Sequence, residues 1–182
     1  MRENAIILIR QTESINVGSI CDMIDKHSDG DCDTVFEGNT IRVPKDNFLY
    51  VNDLEQEIVS SSSKVLATYG SCGLNVVPVS VVEFTEDFKI IFFNFFMDKT
   101  VTNIIPSQYG NRGTNHAAFT YWSGNQGRQL KGNVEYINDG DFFESKREYI
   151  NANYPHLSQV DLRGVIVFEV EEVFDISKPA TK

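Results

Sequence analysis

Ile90-Ile-Phe-Phe-Asn-Phe-Phe-Met-Asp-Lys-Thr-Val-Thr-Asn-Ile-Ile-Pro106 is the stretch on which the fold turns. Lys89 to Phe95 is β-branched and aromatic throughout and predicts a strand. The chain then turns at Phe96-Met97 and enters a short helix with Val101, Ile104 and Ile105 on one face, Asp98 as its N-cap and Pro106 as its stop. Lys99 and Thr100 fall in the first turn of that helix. Free backbone N–H groups, the positive end of the helix dipole, an ammonium and a hydroxyl then point the same way, which is a recipe for holding a phosphate. The same residues are also ordinary capping chemistry with no ligand, and a carboxylate at Asp98 repels a phosphate unless capping occupies it.

Working outward, the 182 residues suffice for one well-packed domain. Apolar residues make up 41% and charged residues 23%, a globular composition. No apolar run approaches the roughly 20 residues that span a bilayer. The opening segment has five apolar residues, Ala5 to Ile9, before a charge returns, too few for a signal sequence. A cytoplasmic location is the expectation. The formal charge of −10 argues against nucleic acid or an anionic membrane as partner. Cys21, Cys32 and Cys72 are odd in number and widely spaced, which suits free thiols in a reducing compartment.

Residues 1–50 read as an N-terminal extension without a functional motif. Ala5 to Ile9 predicts a strand, and Asn39 to Val43 another. Val17, Ile20, Cys21 and Ile24 have the spacing of one helix face. Asp29-Gly-Asp-Cys-Asp-Thr34 resembles the start of a calcium loop but has Thr34 where Gly is required and Thr40 where Glu is required, leaving a solvated acidic turn. Cys21, His27 and Cys32 match no common zinc spacing, so no metal ligands are assigned.

Residues 51–182 form the second part. Asp53 caps a helix running to about Ser61, with Gln56 as capping-box partner and Leu54, Ile58 and Val59 facing inward. Lys64 to Tyr69 and Asn75 to Phe84 are strands joined through the Gly70–Gly73 turn into a hairpin. After a polar loop, Ser107 to Asn115, come strands at His116 to Trp122 and Gln129 to Ile137. A helix follows with Asp141 and Glu144 as its capping box and Phe142, Phe143, Tyr149 and Ile150 on one face. The last strand is Gly164 to Val173. The sum is a mainly β (α+β) fold, a closed or partly closed antiparallel barrel of six strands with short helices.

Four segments in this order resemble the FMN-binding split-barrel family, which includes the pyridoxamine 5′-phosphate oxidases. They are Leu66-Ala-Thr-Tyr with Gly73-Leu-Asn-Val-Val-Pro-Val-Ser80, Phe92-Phe-Asn-Phe-Phe-Met-Asp-Lys-Thr100, Gly127-Arg-Gln-Leu-Lys-Gly-Asn-Val-Glu-Tyr136, and Gly164-Val-Ile-Val-Phe-Glu-Val-Glu-Glu-Val-Phe-Asp175. The resemblance covers about Asp53 to Ser177. It implies that Asn75, Val76, Val77, Pro78, Val79 and Ser80 run along the flavin ring and ribityl chain. It further implies that Phe93 and Asn94 approach the flavin, that Lys99 and Thr100 hold the phosphate of FMN, and that Gln129 reaches the cofactor. A homodimer with FMN at its interface is implied too. Family enzymes that oxidise pyridoxamine phosphate start the Asn75 stretch with Arg, have Arg in place of Asp98 and add a Trp and an Arg near the C-terminus. This chain lacks all four.

No nucleophile, base and orienter trio is present, so no catalytic residue is assigned; His27, His116 and His156 lie in unrelated contexts. The valines of the Asn75 stretch would line a barrel with or without a ligand. Two functions compete: an FMN-dependent oxidoreductase acting on a small acceptor, with the Ser107–Asn115 loop roofing a substrate pocket, and a flavin-binding protein used for electron carriage, sensing or storage. Some relatives hold haem or a deazaflavin on the same barrel, and His116 is the one histidine within the predicted strands that a haem iron would use.

Overall fold

The computed structural model of the protein describes residues 5–10, 15–105 and 115–177. The expected helix stop at Pro106, the loop from Ser107 to Thr114 and the C-terminal residues 178–182 lie outside the described residues. The chain forms two compact units, one made of residues 1–64, 120–131 and 170–182 and the other of residues 65–119 and 132–169.

The first unit contains a five-stranded sheet with strands β1 (Ala5–Leu8), β2 (Ile20–Lys26), β3 (Cys32–Phe36), β4 (Asn39–Val43) and β5 (Phe48–Tyr50), followed by helix α1 (Val51–Ser60). The strand order is β4-β3-β2-β1-β5 with antiparallel neighbours. Ile6, Leu8, Ile15, Cys21, Cys32, Val43 and Phe48 form its core. The helix expected from Val17 to Ile24 is instead strand β2. Its side chains alternate: Cys21 is buried, Asp22 exposed, Met23 half-buried and Ile24 56% exposed. The 3–4 spacing of apolar residues was a coincidence that a period of two and pairing on both sides override. The acidic turn is also shorter than expected, since Cys32 onward belongs to β3. In α1, Leu54 and Ile58 are buried but Val59 is 62% exposed. The helix starts two residues before Asp53, so no side chain caps it.

The larger sheet comprises β6 (Ser63–Gly70), β7 (Gly73–Pro78), β8 (Val82–Phe84), β9 (Ile90–Asn94), β10 (His116–Ser123), β11 (Gln126–Ile137) and β12 (Gly164–Asp175). Helix α2 (Asp98–Ile104) follows β9, and α3 (Gly140–Asn153) follows β11. The order is β7-β6-β10-β11-β12-β9-β8, seven strands where six were expected. The difference lies in the stretch read as one strand from Asn75 to Phe84. It pairs with β6 through Pro78 and then, from Val82, with β9. Pro78 has no N–H with which to continue the first ladder, and the chain changes partner.

That change of partner fixes the curvature of the sheet. β7 and β8 are its two edges, yet only Val79, Ser80 and Val81 separate them. A fully extended chain covers about 14 Å over the four steps from Pro78 to Val82, so the sheet must curl until its edges nearly meet. Phe92, Phe119 and Phe168 fill the inside of the curl, with ring centroids 4.9 and 6.0 Å apart. On the other side of β9, Ile91 and Phe93 pack with Phe143 and Ile150 of α3. The capping box of α3 does not form: the helix begins at Gly140, no side chain caps it, and Glu144 pairs with Arg147 at 2.9 Å. Phe142 stays 37% exposed.

Candidate functional site

The hairpin β6–β7 closes through Ser71-Cys72, with Gly70 opposite Gly73. Gly73 has φ +74°, a conformation glycine adopts without strain. A Cβ on Gly70 would stand 2.6 Å from the Asn103 carbonyl oxygen, so the missing side chain lets α2 lie directly on the strand. Fully buried Asn103 completes the clamp. Its Nδ2 donates to the Gly73 carbonyl at 2.8 Å, and its Oδ1 accepts from the Cys72 amide at 2.8 Å. One turn earlier, Asn75 Nδ2 donates to Thr100 Oγ1 at 2.8 Å. These bonds fix α2 against β7.

The turn between β9 and α2 has its own anchor in Asn94, which is 2% exposed. Its Oδ1 accepts from the Met97 amide at 2.7 Å and its backbone oxygen accepts from the Arg163 amide at 2.9 Å. Tyr136 ties the network together, accepting from Asn94 Nδ2 at 3.3 Å and donating to the Arg163 carbonyl at 2.8 Å. Asp98 is the first residue of α2 rather than its N-cap, and pairs with Arg163 at 2.7 Å. Arg163 also stacks over the Phe96 ring, 5.9 Å from its centroid. Lys99 is exposed and makes no ion pair among the described residues.

Between these two anchored walls lies a cavity of about 280 Å³, lined by Val77, Pro78, Val79, Ser80 and Val81 on one side and by Phe93, Phe95, Phe96 and Met97 on the other. Five predicted site residues, Val77 to Ser80 and Phe93, are thus brought together. Val76 points out of the sheet at 55% exposure. Asn75, Asn94 and Thr100 do not line the cavity; their side chains are spent on holding the turn and the helix. Gln129 lies on β11 in the other unit, with Nε2 donating to Thr120 Oγ1 at 3.3 Å. His116 is exposed at the start of β10. The sequence assigns no role to Arg163, nor to Tyr136 although it ends the third segment of the resemblance; both reach the site only through pairing of distant segments.

A second cavity, of about 520 Å³, lies within the first unit and is polar, with Glu57, Ser60, Tyr121, Arg128 and Asp175 in its wall. Its charges have already met. Arg128 makes two hydrogen bonds to Glu57, at 2.8 and 3.2 Å, and Tyr121 donates to the same carboxylate at 2.9 Å. Burial alone would raise the Glu57 carboxyl, but the Arg128 and Tyr121 hydrogen bonds outweigh it and hold the group below its ordinary value. Burial, then the Glu57 charge, pushes the Tyr121 hydroxyl far up. Although larger, this cavity has its one lining cation, Arg128, already paired, whereas the smaller one has an aromatic wall, and Lys99, two residues after Met97 in sequence, is exposed.

No protein-family model matches the chain, and no curated protein matches it. Solved structures do. HupZ of Group A Streptococcus aligns with a TM-score of 0.57 at 15% identity, over 74% of this chain and 99% of that one. An FMN-binding protein from Syntrophomonas wolfei aligns at 0.54 and 19% identity, over 70% and 89%. A NimC/NimA family protein from Clostridium acetobutylicum aligns at 0.51 and 15% identity, over 72% and 87%. Similarity at this level of identity establishes the fold alone: the chain shares the fold of these three proteins, one of which is an FMN-binding protein.

Proposed function

We propose that the protein binds FMN, with residues 51–182 as the binding domain, and that it is an oxidoreductase acting on a small acceptor. The observation that carries this reading is the cavity between the segment joining β7 to β8 and the turn after β9, where Val77 to Val81 face Phe93, Phe95 and Phe96. An apolar, aromatic slot fits a planar ring system, and its volume is at the small end of ligand pockets, about 300 Å³ upward. The ring would lie against the valines and Pro78, with Ser80 as a hydrogen-bonding group. The phosphate would be held by Lys99, with Arg163 neutralising Asp98 beside it. Because α2 has only seven residues, the side-chain cations contribute more than the helix dipole. Asn75, Asn94 and Thr100 position these groups, and Gln129 belongs to the reading through the family resemblance.

Bound flavin supplies the redox chemistry; the chain binds it, orients it and keeps water from one face. A homodimer with the cofactor at its interface is part of the reading, supported by the exposed apolar side chains of the edge hairpin, Tyr69, Leu74 and Val76, at 64, 76 and 55% exposure. Free Cys21, Cys32 and Cys72 suit a reducing, cytoplasmic setting. Among the described residues no helix is long and apolar enough to cross a membrane.

Titrating the purified protein with FMN should give saturable quenching of flavin fluorescence. Anaerobic mixing of the complex with NADH or NADPH should then bleach the flavin bands. Absence of saturable binding contradicts the flavin reading; binding without bleaching leaves a flavin carrier in place of an oxidoreductase.

A further inference from the structure

Strands β2 and β3 pair irregularly. Met23 lies opposite Thr34, but Asp25 lies opposite Asp33, so Ile24 is an extra residue in β2. The bulge sets two carboxylates directly across from one another, an arrangement that is destabilising when unattended. In a regular ladder Asp25 would face Cys32. His27, two residues on, shares the face of Asp25 and brings its Nε2 to 3.0 Å from Asp33 Oδ1. That nitrogen is enclosed and has no hydrogen bond of acceptable geometry. A ring nitrogen and two carboxylate oxygens therefore converge, all within 4.8 Å of one another. Tetrahedral donors about 2.1 Å from an ion stand about 3.4 Å apart, so His27 and Asp33, now 3.0 Å apart, need part only slightly to share one.

The nearest charges are those of Arg42, which the Asp33 carboxylate also feels, and of Asp31, which lies near His27. Arg42 faces Asp33 across β4, yet its guanidinium is occupied by Asp29 and, at 3.1 Å, by Asp31. Among the described residues no lysine or arginine forms an ion pair with Asp25 or Asp33. One Asp25 oxygen is held by the Lys26 amide at 2.8 Å, which orients the carboxylate.

We propose that Asp25, His27 and Asp33 form a binding site for a divalent first-row transition ion on the β2–β3 hairpin. One imidazole with two carboxylates suits zinc, cobalt or manganese more than calcium, which takes six to eight oxygens. Three protein ligands leave positions for water. The ion neutralises the opposed carboxylates and staples the two strands across the bulge. This site lies apart in sequence from the residues assigned to flavin and is tested without it.

The test is titration of the full-length, chelator-treated protein with Co2+, read by visible absorption, and with Zn2+, read by calorimetry, in a Cys72→Ser background that removes the exposed thiol. One equivalent should bind per chain, and the melting temperature should rise with zinc. His27→Ala and Asp25→Asn should each weaken binding by about 100-fold or more, at or beyond the effect of losing an outer-shell partner. Asp46→Asn, an acidic change outside the trio, should leave it unchanged. Absence of saturable binding, undiminished affinity in His27→Ala, or an intense thiolate charge-transfer band assigning the cobalt to Cys21 or Cys32 would each overturn the proposal.

Discussion

Two cavities among the described residues differ in the opposite sense from their sizes. The larger, polar one is built around Arg128, Glu57 and Tyr121, whose charges and hydrogen bonds satisfy one another. The smaller has an aromatic and aliphatic wall, and exposed Lys99 follows its last lining residue, Met97, by two residues in sequence. Volume says where atoms are missing; ligand binding also requires chemistry that the protein has left unspent. On this view the first cavity is a structural joint and the second a binding slot, and substitutions in each should separate the two roles.

The largest effect is expected at Asn103, which joins the slot to its supporting helix. Asn103→Ala removes the fully buried side chain's bonds to the Gly73 carbonyl and the Cys72 amide, two part-buried hydrogen bonds, at about 2 to 3 kcal/mol of stability by chemical denaturation. FMN affinity should fall with it, because α2 loses its seat. Lys99→Ala should cost about 2 kcal/mol of FMN affinity by fluorescence titration, the range of a charge-assisted contact, with stability unchanged within about 0.5 kcal/mol. Unchanged affinity would remove Lys99 from the site. Arg128→Ala should do the reverse, lowering stability by about 1 kcal/mol, since Glu57 is partly solvated, and leaving FMN affinity alone.

How far the sequence discloses this arrangement depends on the range of the interactions. The β9–turn–α2 unit and the β6–β7 hairpin are legible because alternation, glycines and helix spacing act within a few residues of one another. Val77 to Ser80 and Phe93 follow from the family resemblance and line one cavity. What escapes is long-range: Arg163 meets Asp98 across 65 residues and Arg128 meets Glu57 across 71. The facing of Asp25 and Asp33 depends on a bulge that no spacing announces. Strand β2 was hidden behind a helix-like spacing because Ile24, which completes that pattern, points to solvent.

A smaller effect distinguishes the first unit by pH. Burial first, then the charges of Asp33 and Asp31, pushes the Cys32 thiol from 9.0 up to about 11. A raised value means the folded state keeps the proton, so this stabilisation is complete below about pH 9 and is lost as pH rises toward 11. The denaturation midpoint should fall over that window, and fall less in Cys32→Ala.

The most direct test is to assign the backbone amides of the labelled protein by NMR and to titrate in FMN. The shifts should concentrate at Val77, Val79 to Val81 and Phe93 to Met97, with Lys99 following. Perturbations centred on Glu57, Tyr121 and Arg128 instead, or no saturable change at all, would contradict the proposed slot.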